Sequence, residues 1–279
     1  MAPIRQNVAG ADGVRIAVGV QYDGAHFRGW QAQQPGVRTV QTCLEQALAK
    51  VAAHPVRLAC AGRTDAGVHG VGQVAHFDTT AVRSDRAWVL GGNANLPDDL
   101  SLSWACAVPD EFHARFTALA RRYRYLILNQ PHRSALWQGR AAWHYRPLDA
   151  ARMAEAGQAL LGEHDFSAFR AAQCQARHPI RELRELTVQR RGNGIILEVE
   201  ANGFLQHMVR NIAGVLMAIG VGERPVEWVQ EVLAQRDRTQ GGVTAPAAGL
   251  YLLAVRYPER FGLPTVAETM PGFGEWVTG

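Results

Sequence analysis

Lysine is almost missing from this chain. Lys50 is the sole lysine among 29 basic residues, so 28 are arginines. Genome base composition can produce that bias by itself, although the planar guanidinium suits bidentate phosphate contacts better than an ammonium does. Cysteine is scarce too. The four, at 43, 60, 106 and 174, form no C-x-x-C pair and no zinc-ribbon spacing, which argues against a disulfide framework and reads as buried thiols in a reducing compartment. Long apolar runs are absent: Ile212 to Val221 is the longest, about half of the roughly 20 residues a membrane span needs. Met1 to Gly10 (MAPIRQNVAG) lacks the apolar centre of a signal peptide. These absences predict a soluble, unexported, cytoplasmic protein. The 28 glycines and 13 prolines follow no period, which excludes collagen and Pro/Gly low-complexity chains. There is no G-x-x-x-x-G-K-S/T, no G-x-S-x-G and no H-E-x-x-H, so ATP hydrolysis, serine hydrolysis and zinc proteolysis lose their simplest support.

What remains is a chain of 279 residues, 47% hydrophobic and 19% charged, long enough for one large or two ordinary domains. Its net charge is +4, yet seven arginines (115, 121, 122, 124, 133, 140 and 146) and no acid lie between Phe112 and Leu148. All the excess positive charge therefore falls in one stretch. The same stretch holds Phe112, Phe116, Tyr123, Tyr125, Trp137, Trp143 and Tyr145. Aromatics among arginines suit a phosphate backbone and unstacked bases. They suit a solvated strand over a core equally well, and composition leaves both readings open.

The pattern along the chain is α+β. VRIAVGVQY (14 to 22) alternates at period two and predicts a strand closed by Asp23-Gly24. Thr39 to Ala53 predicts a helix, with Thr42-x-x-Glu45 as a capping box. Strands are predicted at 56 to 61, 71 to 79 and 101 to 108, with a short helix capped by Ser84 and running through Leu90. Beyond them come a strand over 118 to 128, with Arg122 and Arg124 on the face opposite Tyr123 and Tyr125, and a helix over 149 to 161. A hairpin follows over 183 to 201 around the turn RGNG, then helices from about Phe204 to Gly220 and from Pro225 to Gln235, and a strand over 250 to 257. Strands in hairpins interrupted by helices predict a mixed, mostly antiparallel sheet. The chain divides near residue 115, into 14–114 and 115–257, with an irregular Pro/Gly-rich tail over 258–279.

Two segments carry candidate chemistry. In AGRTDAGVHGVGQV (61 to 74), glycines at 62, 67 and 70 would hinge a polar loop that lifts Asp65 out of a sheet, although Asp-Ala-Gly is also an ordinary Asx turn. Its GVGQVA mimics a dinucleotide fingerprint, but strand-like residues follow where a helix is required. Cys60, His69 and His76 match no standard metal spacing and read as satisfied core or surface groups. The apolar helix FLQHMVRNIAGVLMAIG contains Arg210 and Asn211, with no acid within four residues of Arg210. A buried guanidinium needs a carboxylate from elsewhere, and Asp65 is the candidate.

YDGAHFRGWQAQ (22 to 33), AGRTDAGVHGVGQVAHF (61 to 77), FHARFTALARRYRY (112 to 125), LLGEHDFSAFRAAQCQ (160 to 175), HMVRN (207 to 211) and GLYL (249 to 252) together resemble the bacterial tRNA pseudouridine synthase A family. The resemblance covers most of 14 to 257, and R-T-D-A-G-V-H is its most specific part. It implies two ferredoxin-like (RRM-like) halves sharing one sheet, helices on one side, a central active-site cleft and a homodimer. It also implies conversion of uridine to pseudouridine at positions 38, 39 and 40 of the tRNA anticodon stem-loop, without cofactor or metal. Carried onto this sequence, Asp65 is the nucleophile, Arg210 orients it, Tyr123 lies against the base, and Arg63 fills the space of the flipped base. Arg83, the run Phe112, His113, Ala114, Arg115 and Phe116, and the run Gln173, Cys174, Gln175, Ala176 and Arg177 match positions that contact tRNA. Two rivals stand beside this reading: a catalytically silent tRNA-binding or chaperone-like protein, and a nucleoside or glycoside hydrolase, which would need a second carboxylate near Asp65.

Overall fold

The computed structural model describes residues 13–264; the amino-terminal segment read for export and most of the tail lie outside them. The chain is mixed α+β with a mostly antiparallel sheet. Among the described residues it forms two units, one running up to Leu119 and taking in the chain again from Ala254, the other Ala120–Leu253.

In the first unit β1 (Val14–Tyr22) lies between β3 (His69–Thr79) and β4 (Leu100–Val108), antiparallel to both, and β2 (Ala59–Cys60) pairs with β3. Period-two alternation suggests one wet face, but β1 is covered on both. Ile16, Val18, Val20 and Tyr22 pack with Leu44, Leu48 and Trp88 of helices α1 (Val40–Ala52) and α2 (Asp85–Asn93). On the other face Ala17 packs with Val74, Val108, Phe112 and Phe261.

Three local expectations need correction here. The cap of α1 is Thr39, whose hydroxyl accepts the Thr42 N–H at 3.3 Å; the capping box at Thr42 does not form. Glu45 instead takes the Leu58 N–H at 3.0 Å and the Gln41 amide at 2.9 Å. That bond directs Leu58 toward the helix, so the expected 56–61 strand shrinks to Ala59 and Cys60, followed by a single hydrogen bond from Ala61 to Val74 of β3. The α2 helix starts under Ser84 as expected but runs past Leu90 to Asn93, whose side chain bonds both the N–H and the carbonyl of Leu102 at 2.7 and 3.0 Å.

The second unit contains β5 (Ala120–Asn129), β6 (Ala142–His144), α3 (Ala150–Gln158), β7 (Gly162–Asp165), β8 (Ile180–Arg191), β9 (Gly194–Ala201), α4 (Met208–Gly220) and α5 (Trp228–Gln235). The strand order is β5-β9-β8-β7, antiparallel, with β6 parallel to β5. β10 (Leu250–Arg256) starts in this unit beside β5 and ends in the first unit, where Arg256 accepts the Leu119 N–H at 2.8 Å. The α4 helix begins four residues later than the pattern predicts, because Gln206 gives its carbonyl to Ala171 and His207 turns left-handed at φ 63°. Likewise α5 starts at Trp228, after a turn closed on the Pro225 carbonyl.

The alternation in β5 is as read: Tyr123 and Tyr125 are buried opposite Val199 and Leu197, and Arg122 and Arg124 take the other face. Those arginines are not bare. Arg122 holds Glu185 through two hydrogen bonds at 2.9 and 3.0 Å, and both arginines hold Glu198, at 2.6 and 2.7 Å. Arg146 pairs with Glu223. The acids missing from 112–148 are thus returned by other segments, and the excess charge of that stretch is partly neutralised internally.

Burial raises the Glu198 carboxyl, but hydrogen bonds from Arg122 and Arg124 outweigh it and leave it below its ordinary 4.5. A depressed carboxyl stabilises the fold above its unfolded value and loses that contribution as pH falls through the folded one. Glu198→Gln should therefore lower the melting temperature at pH 7, and its deficit against wild type should shrink as pH drops below about 4.5. A deficit independent of pH would remove the ion pairs as its cause.

Candidate active site

In the first unit, Asp65 lies in the loop between β2 and β3, and the loop is fastened along its length. Ala61 donates its N–H to Val74 at 2.8 Å, and the Gln73 amide donates to the Gly62 carbonyl at 2.7 Å. Thr64 is buried, its hydroxyl 2.8 Å from that of Tyr22, and its carbonyl accepts the Trp30 N–H at 3.0 Å. The Asp65 carbonyl accepts the Val68 N–H at 3.1 Å, closing a turn through Gly67, which alone of the three expected hinge glycines has a positive φ, 79°. Gly62 is clamped by Gln73, and Gly70 lies in β3 against the Tyr22 ring. The loop is a fixed mount, not a hinge. Asp65 is half-buried on it and Arg63 is exposed.

The mount is held by residues 22 to 30, to which sequence reasoning gave no role. Gly24 donates its N–H to His69 Nδ1 at 3.0 Å, with an Asp23 carboxylate oxygen 3.1 Å from the same nitrogen. A Cβ at Gly24 would lie 1.9 Å from the Val68 carbonyl oxygen, and one at Gly29, where φ is +91°, would lie 2.8 Å from that of Thr64. Only glycine permits these approaches. The signal available in the sequence was the glycine spacing of Y-D-G and F-R-G-W.

The run from Phe112 to Phe116 is a turn built on β3. Phe112 and Ala114 are buried in the core, whereas Arg115 and Phe116 are exposed with the guanidinium 5.6 Å above the ring. His113 Nδ1 accepts the N–H groups of Arg115 and Phe116 at 3.1 and 3.2 Å. His76 Nδ1 accepts that of Ala114 at 3.2 Å. Both rings must be unprotonated at Nδ1 to do so. Burial, the neighbouring His113 and Arg15 push His76 down to about 4. Burial and then Arg15 also lower His113. Arg83 is exposed beyond β3 and donates to the Val51 and Val82 carbonyls at 3.2 and 2.9 Å.

In the second unit, Tyr123 is buried on β5, its ring 5.0 Å from Phe204 in an edge contact. Arg210, in the first turn of α4, is half-buried where the sequence suggested full burial. Its Nε donates to the Ala245 carbonyl at 2.8 Å, and its own carbonyl accepts the Ala245 N–H at 3.1 Å. Asn211 donates to Phe169 at 2.7 Å and accepts from Arg238 at 3.1 Å and Thr244 at 2.7 Å. The two polar residues of the apolar helix thus fasten the 238–245 segment. Gln173, Gln175 and Arg177 are exposed, with Cys174 and Ala176 half-buried, on the loop before β8. His69 and His76 are satisfied core histidines, and among the described residues no group of three or more metal-ligating side chains occurs.

The profile described as tRNA pseudouridine synthase matches residues 18–117 and 156–258. A protein named tRNA pseudouridine synthase A from Alcanivorax borkumensis is 56% identical over 250 residues, 90% of this chain and 94% of the relative. Its namesake in Pseudomonas aeruginosa is 55% identical over 262 residues, 94% of this chain and 92% of the relative. That of Vibrio cholerae is 55% identical over 251 residues, 90% and 95% respectively.

A histidine whose folded value is depressed favours the folded state above its unfolded value and loses that advantage as pH falls. Stability of the first unit should therefore decline as pH drops from about 6.5 to about 4. His76→Asn, which keeps an acceptor and cannot titrate, should flatten that decline. Equal slopes for wild type and variant in urea unfolding across this window would remove His76 as the cause.

Proposed function

The chain belongs to the tRNA pseudouridine synthase family, and we infer from this that it is an isomerase converting uridine to pseudouridine in tRNA. The observation that carries the reading is the family match itself, which spans the Asp65 loop and the Arg210 helix. Tyr123 falls between the matched segments, and its role rests on the resemblance of the run FHARFTALARRYRY. The target is the anticodon stem-loop at positions 38, 39 and 40, and the protein of this reading is a cytoplasmic homodimer built of two ferredoxin-like halves, 14–114 and 115–257.

Asp65 is the nucleophile of this reading. Its carboxylate attacks C1′ of the ribose or C6 of the base, the N1–C1′ bond breaks, and the uracil turns and bonds to C1′ through C5; the bond to Asp65 breaks in turn, displaced from C1′ by C5 or eliminated from C6, which frees the carboxylate. C5 then gives up its proton and N1 gains one, so the product is an isomer of the substrate. One carboxylate is sufficient, since no water has to be activated on the opposite face as in a glycosidase. Arg210 orients the carboxylate and favours its ionised form. Tyr123 lies against the base and helps move the C5 proton. A base in a stem leaves its stack at a cost of a few kcal/mol, and Arg63 occupies the vacated place. Arg83, Arg115 and Arg177 contact phosphates, with His113, Phe116 and Gln173 to Ala176 shaping the tRNA surface around them and the buried Phe112 and Ala114 holding the turn that presents them. No cofactor enters the scheme.

Release of tritium from C5-labelled uridine in unmodified tRNA transcripts tests the chemistry, because isomerisation must expel that hydrogen. Wild type should release it and Asp65→Asn should not, with the variant binding tRNA within a few fold of wild type. Release by both would move the nucleophile elsewhere. Tight binding without release by wild type would leave only a tRNA-binding module, and free uracil would indicate a hydrolase. Arg115→Ala should weaken binding and reduce the slope of log affinity against log salt by about 0.9, the value for one duplex phosphate contact. An unchanged slope would remove that contact.

A further inference from the structure

The residue before Asp65 is held by three separate means. The Thr64 hydroxyl meets Tyr22 at 2.8 Å, its carbonyl accepts the Trp30 N–H at 3.0 Å, and Gly29 packs directly on that carbonyl. On the far side of Asp65, Gly67 donates its N–H to the Phe27 carbonyl at 3.4 Å. Tyr22 and Thr64 are 3% and 7% exposed, so the hydroxyl pair sits in the core, where phenylalanine and valine would fill the same volume. What the hydroxyls add is direction. Their bond restricts the Thr64 rotamer and with it the backbone torsion that aims the next Cα–Cβ bond, which is that of Asp65. A misplacement of about 1 Å in a reacting group can lower a rate about a hundredfold.

We propose that Tyr22 and Thr64 are positioning residues for the Asp65 carboxylate, acting through the buried hydroxyl pair and serving turnover rather than tRNA affinity. The proposal rests on the reading of Asp65 as the nucleophile. Tyr22 stands 43 residues away in sequence and lies in the YDG block, whose part in the reaction the family match leaves unstated.

The test uses single-turnover tritium release with saturating tRNA, tRNA affinity and melting temperature, in the full-length protein. The variants are Tyr22→Phe, Thr64→Val, the two combined, Thr64→Ser and Asp65→Asn. Tyr22→Phe removes the bond from the buried Thr64 hydroxyl, and each single deletion should lower both stability and rate. Deleting both replaces the pair by apolar groups of the same shape, which is close to neutral for stability. The double variant should therefore recover a melting temperature near wild type while its single-turnover rate stays about tenfold down and its affinity stays within about twofold. Thr64→Ser, which keeps the hydroxyl, should retain most of the rate. A double variant turning over at the wild-type rate would overturn the proposal, as would a rate loss matched by an equal loss of affinity. Release of tritium by Asp65→Asn would overturn the underlying assignment instead, so the two failures are distinguishable.

Discussion

A polar side chain sealed inside a protein must find a hydrogen-bond partner, and β3 applies that constraint four times. His69, Gln73, His76 and Thr79 are all buried on it, and each is bonded to a segment outside the strand. His69 takes Gly24, Gln73 holds Gly62, His76 takes Ala114 and Thr79 meets His54. The partners of the first three are the brace around residue 24, the Asp65 loop and the turn presenting Arg115 and Phe116. The most buried strand of the first unit thus sets the place of three segments that carry or support the proposed chemistry. An all-apolar β3 would pack as well and would leave those loops without fixed attachments.

Charge is arranged by a related rule. The stretch from 112 to 148 is acid-free in sequence, yet Arg122 and Arg124 reach carboxylates on β8 and β9, and Arg146 reaches Glu223. Ion pairs of this kind satisfy partly buried guanidinium groups and draw little on counterions. Affinity for a polyanion depends on cations that stay at the surface and release counterions on contact. Arg63, Arg115, Arg133 and Arg177 are exposed, and they suit that task better than the inward-facing members of the run. Counting arginines along the chain overstates the basic surface, because pairing across strands is set by the register.

The register also separates what could be read from the sequence from what could not. Strands with strong alternation, such as β1 and β5, and helices capped by serine or aspartate, such as α2 and α3, were legible to within a few residues. The three-residue β6 and four-residue β7 were not, since segments so short have no period of their own and exist by pairing with β5 and β8. The start of α4 was displaced because Gln206 bonds to Ala171, a partner 35 positions earlier. In the candidate site, Asp65 and the loop bearing it were legible from glycine spacing and from R-T-D. The fastening of that loop was not, because Tyr22, Gly24, Gly29 and Gln73 act through contacts between segments. The same holds for Arg210, which donates to the Ala245 carbonyl, and for Asn211, which bonds Phe169, Arg238 and Thr244, all of them segments distant in sequence.

A mount this rigid follows from what the proposed reaction demands. A base drawn out of a stem arrives after unpairing and unstacking that cost a few kcal/mol, and any further cost of ordering the carboxylate would add to the same barrier. Catalytic groups that are already ordered add nothing at the moment of reaction. Ordering a loop by side-chain contacts alone immobilises flexible groups, whereas Gly24 and Gly29 let one backbone rest directly on another. Glycine has no rotamers to lose, so its cost is borne by the backbone on folding, before substrate binds. The glycines of residues 22 to 30 and the catalytic carboxylate of the reading are therefore parts of one device: close backbone contact places Asp65 in advance, and binding energy from the tRNA is left for extracting the base.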